Sequence, residues 1–252
     1  MPRLMLTDER WEMLLHLMKS TGRIYNKPEH RNTFEGILYR LRTGIPWRDL
    51  PKEFGGWSSI FRRFNLWSKK GILSYLFKEL AKDSDFDWVF IDGSIIRVHQ
   101  HSTGAATTDS ECIGKSRGGN STKIHLAVDS NGFPIYFELS EGQRNDITHA
   151  QSLVEHTRQA KIVIADKGYD SDIFRQFIES EGMESVIPKR KYNGEKQKDV
   201  DWCLYKYRHL VENAFGRIKH FRSISTRYDK LARNYASMVS LAFMMMWLPM
   251  YC

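Results

Sequence analysis

The pattern of apolar and polar positions changes character once along the chain. Through the first third, apolar residues recur at helical spacing. Residues 9–18 predict a helix with Thr7 or Asp8 as its N-cap. Phe34, Ile37, Leu38 and Leu41 fall at i, i+3, i+4 and i+7 and predict a second helix over 32–42, closed by Gly44-Ile45-Pro46. A third helix is predicted over 58–70; Ile60, Phe61, Phe64 and Trp67 form its apolar stripe, and Arg62, Arg63, Lys69 and Lys70 mark its other side. Beyond residue 85 short apolar runs alternate with helical ones. Strands are predicted at 87–92, 123–129 and 134–139, the last two joined through Ser130-Asn131-Gly132 as a hairpin. A helix at 148–159, a strand at 161–165, a helix at 172–180 and a strand at 185–187 follow, then helices at 200–220 and 234–247. The order β-β-β-α-β-α-β-α-α is that of a mixed α/β domain with one antiparallel hairpin. The fold class expected is therefore α+β, with a helical domain over 1–85 and a mixed α/β domain over 86–252.

Composition adds little to this, but charge does. The chain has 252 residues, 41% of them hydrophobic, and a formal net charge of +8. Residues 1–85 carry +6, residues 86–188 carry −6, and residues 189–233 carry +8. Two basic regions thus flank an acidic middle. Basic regions attract polyanions by releasing condensed counterions, and an acidic middle suits divalent cations. Two helices joined by a turn, the second one basic, resemble a helix-turn-helix DNA reader, although the connection is longer than usual. A small helical bundle is the other reading of the same pattern. The three cysteines, Cys112, Cys203 and Cys252, make no CxxC pair and fit a reducing compartment. The first residues show no secretory signal. The longest apolar run, 238–248, is too short to span a bilayer, so a buried C-terminal helix, no membrane contact and a cytoplasmic location are expected.

Three carboxylates stand out. Asp92 is expected to close the first strand, in Ile91-Asp92-Gly93, and Asp166 the fourth, in Ala165-Asp166-Lys167-Gly168-Tyr169. Open α/β sheets place their sites at the carboxyl ends of strands. Glu212 lies in the long helix predicted over 200–220. Tyr205, Arg208, Glu212 and Lys219 stand at offsets 0, 3, 7 and 14 from Tyr205, which places all four within a sector of about 60° on a regular helix. Such a stripe is either a solvated face with an Arg208–Glu212 i,i+4 pair or a polar face turned to a metal and phosphate site. His99 and His101 form an HxH pair with no thiolate or third histidine nearby in sequence, which favours a DNA or loop-packing role over metal ligation. Trp202, just before the stripe, reads either as a wedge against an unpaired base or as a core residue.

At these residues the chain resembles a DDE transposase of a bacterial insertion sequence, of the IS-five-like class. The stripe Tyr205-x2-Arg208-x3-Glu212-x6-Lys219 is similar to that family's third-carboxylate signature, Asp166-x-Gly168-Tyr169 to its second motif, and Asp92-Gly93-Ser94 to its first. The stretches from Gly118 to Gln143 and from Gly44 to Pro51 are also typical of it. The resemblance implies a ribonuclease-H-like catalytic domain behind the helical domain. It implies an enzyme that binds terminal inverted repeats, cleaves DNA strands at the element ends and joins the 3′-hydroxyl to target DNA by two-metal-ion phosphoryl transfer. Asp92, Asp166 and Glu212 are the implied catalytic and metal-holding residues, with Mg²⁺ as the ion and Mn²⁺ able to substitute. The resemblance supports DNA contact by Tyr205, Arg208 and Lys219. Arg62, Arg63, Lys69, Arg190, Lys191 and Arg217 are expected DNA contacts from their charge, within a wider phosphate track that includes Lys189, Arg222 and Arg227. The partner expected is double-stranded DNA, bound by a homodimer. The alternatives are a catalytically inactive or regulatory repeat-binding protein and a ribonuclease-H-like nuclease acting on hybrids or junctions.

Overall fold

The computed structural model describes residues 2–24, 27–104, 111–190 and 200–251. The first helix, α1 (Asp8–Ser20), starts where the Thr7 side chain accepts the Arg10 amide, and it buries Trp11, Leu14, Leu15 and Met18. The second, α2 (Glu29–Thr43), ends at Gly44, whose positive φ of 70° lets its N–H close back onto the Arg40 carbonyl. Two 3₁₀ turns, Trp47–Asp49 and Lys52–Phe54, lead to α3 (Trp57–Lys69), which buries Ile60, Phe64 and Trp67 as its pattern requires. A helix that sequence reading leaves unassigned follows: α4 (Ile72–Leu80) buries Ile72, Leu73, Leu76, Phe77 and Leu80.

The sheet begins with β1 (Trp88–Val98), which runs six residues past its expected end at Asp92. It continues with β2 (Gly114–Ser116), β3 (Gly119–Val128), β4 (Pro134–Glu141), β5 (Ile162–Ala165) and β6 (Glu184–Val186). Its order is β2-β3-β1-β5-β6, with β4 also paired to β3. β3 runs antiparallel to β1 and β4, whereas β5 is parallel to β1 and β6 is parallel to β5. Three antiparallel strands followed by two parallel to the first make the ribonuclease-H-like arrangement. Helices α5 (Ile147–Glu155) and α6 (Asp172–Ser180) supply Leu153, Val154, Phe174 and Ile178 to a core shared with Val89, Ile91, Val163 and Ala165.

The helix expected over 200–220 is broken. A single turn, α7 (Trp202–Tyr205), passes into a 3₁₀ turn, Lys206–Arg208, before α8 (His209–Lys219). Asp201 caps the start, accepting the amides of Cys203 and Leu204. Then come α9 (Arg222–Ser225), the two-residue β7 (Thr226–Arg227) and α10 (Ala232–Trp247). The apolar run read as a buried C-terminal helix is α10, buried on nearly every side. No helix among the described residues is long and apolar enough to cross a membrane.

The chain divides into two compact units. One holds Met1–Leu80, Val98–Glu111 and Ile218–Cys252; the other holds Ala81–Arg97 and Cys112–Arg217. The expected boundary at residue 85 falls near the first division. Residues 218–252, grouped by sequence with the α/β domain, cluster instead with the first helices, because α10 packs along α4 with Phe77 and Phe243 5.6 Å apart.

Candidate active site

Strand pairing brings the first two carboxylates together. The parallel register of β1 and β5 ends at Ile91 opposite Ala165. Asp92 is the next residue on β1, and Asp166 is the first residue after β5. β1 itself runs on, still paired to β3 as far as Arg97 opposite Ser121. Asp92 therefore does not close its strand, as sequence reading expects; it closes the parallel half of the pairing, at the point where the sheet's connections diverge to either side.

The Asp92 side chain is 20% exposed. Its Oδ1 accepts the Gly93 amide at 2.8 Å and its Oδ2 accepts Arg208 Nη1 at 3.3 Å. Burial pushes its pKa up to about 6, against the opposing pull of the Gly93 amide and Arg208, and the nearby charges of Asp166 and Asp146 add to the rise. Asp166 opens the 3₁₀ turn Lys167–Tyr169, and its Oδ1 accepts the Gly168 amide at 2.6 Å. Arg190 clamps that turn: its Nε donates to the Lys167 carbonyl at 2.9 Å and its Nη2 to the Gly168 carbonyl. Its backbone amide donates to Asp170 at 2.8 Å. Tyr169 lies buried beside these groups, its hydroxyl without a hydrogen-bond partner; burial first, then the charges of Asp146, Asp92 and Asp166, hold its pKa well above the usual phenol range.

Glu212, on α8, is the open edge of the group, with 52% of its side chain exposed. Arg208 joins it to the rest, pairing with Asp92 through one guanidinium nitrogen and with Glu212 through the other. Tyr205 is half-buried, and burial raises its pKa, with Arg208 opposing the rise and Asp166 adding to it. Three carboxylates offer hard oxygen donors of the kind Mg²⁺ and Mn²⁺ prefer. Among the described residues no three acidic, histidine or cysteine side chains stand close enough to enclose an ion as placed, since the Arg208 guanidinium stands between Asp92 and Glu212.

Behind Asp92 lies a polar layer that sequence reading passes over. Asp146 Oδ1 is 3.1 Å from Lys123 Nζ and 3.5 Å from His125 Nδ1. Lys123 also donates to the Arg144 carbonyl at 2.6 Å. The buried His125 ring stacks on His149 at 4.1 Å; burial, then His149 and Lys123, lower its pKa to about 3, so it is neutral. Asp146 lies in a loop 54 residues from Asp92, and no periodicity in the sequence ties it to the site. Gly93 leaves it room, because a Cβ there would stand 2.0 Å from Asp146 Oδ1.

The remaining expected contacts are scattered. Arg62 and Lys69 are exposed on α3 and Arg63 is half-buried; Arg217 and Lys219 are exposed at the end of α8. Lys191 lies outside the described residues. Arg227 corrects the expected phosphate track: it is fully buried, donating to the carbonyls of Asp229 at 2.9 Å and Lys230 at 3.0 Å beneath the Tyr235 ring. His99 is a local cap, its Nδ1 accepting the His101 amide at 3.3 Å. Trp202 stands 40% exposed, edge-on to Tyr205.

Residues 84–247 match the family model described as "Transposase DDE domain", and residues 6–77 match "Putative transposase of IS4/5 family". The chain is 35% identical over 127 residues to "Putative transposase for insertion sequence element IS6501" of Brucella ovis, covering 50% of this chain and 98% of that protein. It is 30% identical over 131 residues to "Putative transposase for insertion sequence element IS402" of Burkholderia cepacia, covering 48% of this chain and 59% of that one. In fold it is similar to the piggyBac transposase of a synaptic complex with hairpin DNA, with a TM-score of 0.55 at 9% identity over 97% of this chain and 73% of the other. The chain belongs to the DDE transposases of the IS4/IS5 family of insertion sequences.

Proposed function

We propose that this transposase binds the terminal inverted repeats of its element as a homodimer, cleaves DNA at the element ends and joins the freed 3′-hydroxyl to target DNA. The observation that carries this reading is the β1–β5 register, which sets Asp92 beside Asp166, with Arg208 tying Asp92 to Glu212. In it, residues 1–85 read the repeat, with Arg62, Arg63 and Lys69 on phosphates, and residues 86–252 carry the chemistry.

Asp92, Asp166 and Glu212 would hold Mg²⁺, or Mn²⁺ in its place; bound there, the ions supply Lewis acidity at the attacking and leaving oxygens. The chain's own residues do the rest. Asp92, with a pKa near 6, is ionised at pH 7–8 and ready as an oxygen donor. Arg208 neutralises two carboxylates in the free protein, and its planar fork is the donor for a phosphate of the bound strand. In this reading Tyr205 and Lys219 also contact the DNA. Arg190 fixes the turn that carries Asp166.

The test is cleavage of a labelled duplex bearing the terminal repeat, with Mg²⁺ or a chelator, by wild type, Asp92→Ala and Glu212→Ala. The expected result is metal-dependent nicking at the repeat end, lost in both variants while DNA binding persists. Binding without nicking by the wild type would replace this reading with that of a regulatory repeat-binding protein.

A further inference from the structure

The motif Gly44–Pro51 and the segment 228–234 have no part in the chemistry above, yet they build a second site within the helical unit. A cleft of about 450 Å³ opens between α2, α3 and the start of α10, within the range of about 300–1,000 Å³ typical of small-ligand sites. Its walls are aromatic. Trp47 packs on Phe61 with centroids 5.4 Å apart, and the Arg40 guanidinium lies 4.5 Å from the Trp47 ring centre. Tyr228, 47% exposed, forms the outer wall, with its ring stacked on His99 at 4.5 Å.

The floor is polar and buried. Arg40 pairs with Asp229 at 3.4 Å, and Asn234 Nδ2 donates to Asn65 Oδ1 at 2.6 Å. Arg40 and Asn234 are each 6% exposed, and both keep a buried atom without a partner: Arg40 Nε and Asn234 Oδ1. A buried donor or acceptor left unmade is costly, so these two atoms call for a polar ligand. Lys230 and Arg233 are exposed lining residues; with Arg40 against Asp229 they leave the lining at a net charge of +2. A planar ring edged with donors and acceptors and carrying a negative charge meets all three demands.

We infer that this cleft, formed by Trp47, Tyr228, Arg40 and Asn234, binds one unpaired nucleotide of a DNA strand, its base against the aromatic walls and its phosphate toward Lys230 and Arg233. The base of a duplex is already stacked and paired and cannot enter. The site therefore selects DNA with an extrahelical or single-stranded position. The inference rests on the DNA-binding reading given above.

The experiment measures affinity of the full chain for two labelled duplexes of one sequence, one fully paired and one with a single-nucleotide bulge, at fixed low salt. Base–aromatic stacking on this scale gives the bulged duplex a preference of about tenfold. Tyr228→Ala and Arg233→Ala, both at exposed positions, should each erase most of that preference and leave binding of the paired duplex within about twofold. Equal affinity of the wild type for the two duplexes overturns the inference and leaves DNA binding standing. A preference that survives both substitutions also overturns it, because the bulge is then held elsewhere. Free dAMP bound tightly with no preference for the bulged duplex would assign the cleft to a soluble nucleotide instead. Failure to bind either duplex removes the DNA-binding reading and this inference together.

Discussion

Gly93 is where the catalytic strand and the polar layer behind it come closest, and Gly93→Ala tests whether that closeness matters. A Cβ at residue 93 would stand 2.0 Å from Asp146 Oδ1, 2.9 Å from its Cγ and 3.3 Å from Lys123 Cδ. The carboxylate oxygen would have to move by roughly 1.4 Å to reach ordinary van der Waals distance. It is not free to do so cheaply, because it is held 3.1 Å from the Nζ of Lys123, a side chain only 9% exposed. Losing that pair leaves a nearly buried ammonium with the Arg144 carbonyl as its acceptor. Hydrogen bonds to charged groups are worth about 1.5–3 kcal/mol, and Asp146 is partly solvated, so a loss of about 2 kcal/mol is expected for Gly93→Ala. The assay is urea unfolding of the wild type, Gly93→Ala, Asp146→Ala and the double variant as a cycle. In the Asp146→Ala background the clash is gone, so the second substitution should cost less than about 0.5 kcal/mol, a strong coupling for residues in contact. Equal costs for Gly93→Ala in the two backgrounds would refute the reasoning: the glycine would then be needed for its backbone alone.

Three other outcomes follow from the same geometry. The Asp92 pKa of about 6 lies above its unfolded value of 3.8, so its ionised form costs stability above pH 6 and the cost fades as pH falls toward 3.8. Asp92→Asn should therefore stabilise the metal-free protein by about 2–3 kcal/mol at pH 8 and by almost nothing at pH 3.5, and a gain of equal size at both pH values in denaturant titrations would disprove the assignment. Arg227→Ala should destabilise by about 3 kcal/mol or more, since it strands two carbonyls in the interior; where the variant remains folded, the salt dependence of its DNA affinity should match the wild type, and a shallower slope would return Arg227 to the phosphate track. Arg190→Ala should slow cleavage by about tenfold or more through a loosened Asp166 turn with little change in the affinity for DNA; a loss confined to affinity would make Arg190 a phosphate contact instead.

Much of this was legible because the signals were local. Helical spacing found α1, α2, α3 and α10, and the β-hairpin turn at Ser130–Gly132 fixed the antiparallel half of the sheet. What escaped was set by residues far apart in sequence. Nothing in Gly93–Val98 alternates cleanly enough to extend β1, which continues because β3 pairs with it to Ser121. The approach of Asp146 to Gly93 spans the hairpin and the loop after β4. Arg227 was misread because arginine is so seldom fully buried; its burial depends on two carbonyls that immediately follow it and on the Tyr235 ring.

The polar stripe shows both sides of this division in one segment. Its reading assumed a regular helix from Tyr205 to Lys219, but the chain tightens into a 3₁₀ turn at Lys206–Arg208, although that tripeptide holds no glycine or proline to mark it. A 3₁₀ turn winds about 20° further per residue than an α-helix, so Tyr205 is turned about 60° away from where the regular helix would place it relative to Glu212. The Arg208–Glu212 pair survives, being four residues apart at the entry to α8. The contact that gives the stripe its meaning is the other one, Arg208 to Asp92, across 116 residues of sequence. One guanidinium shared by two carboxylates from a strand and a helix needs both nitrogens presented at once, and lysine has only a single ammonium to offer. This is a physical reason for arginine at position 208, and it depends on the sheet register that no helical periodicity could disclose.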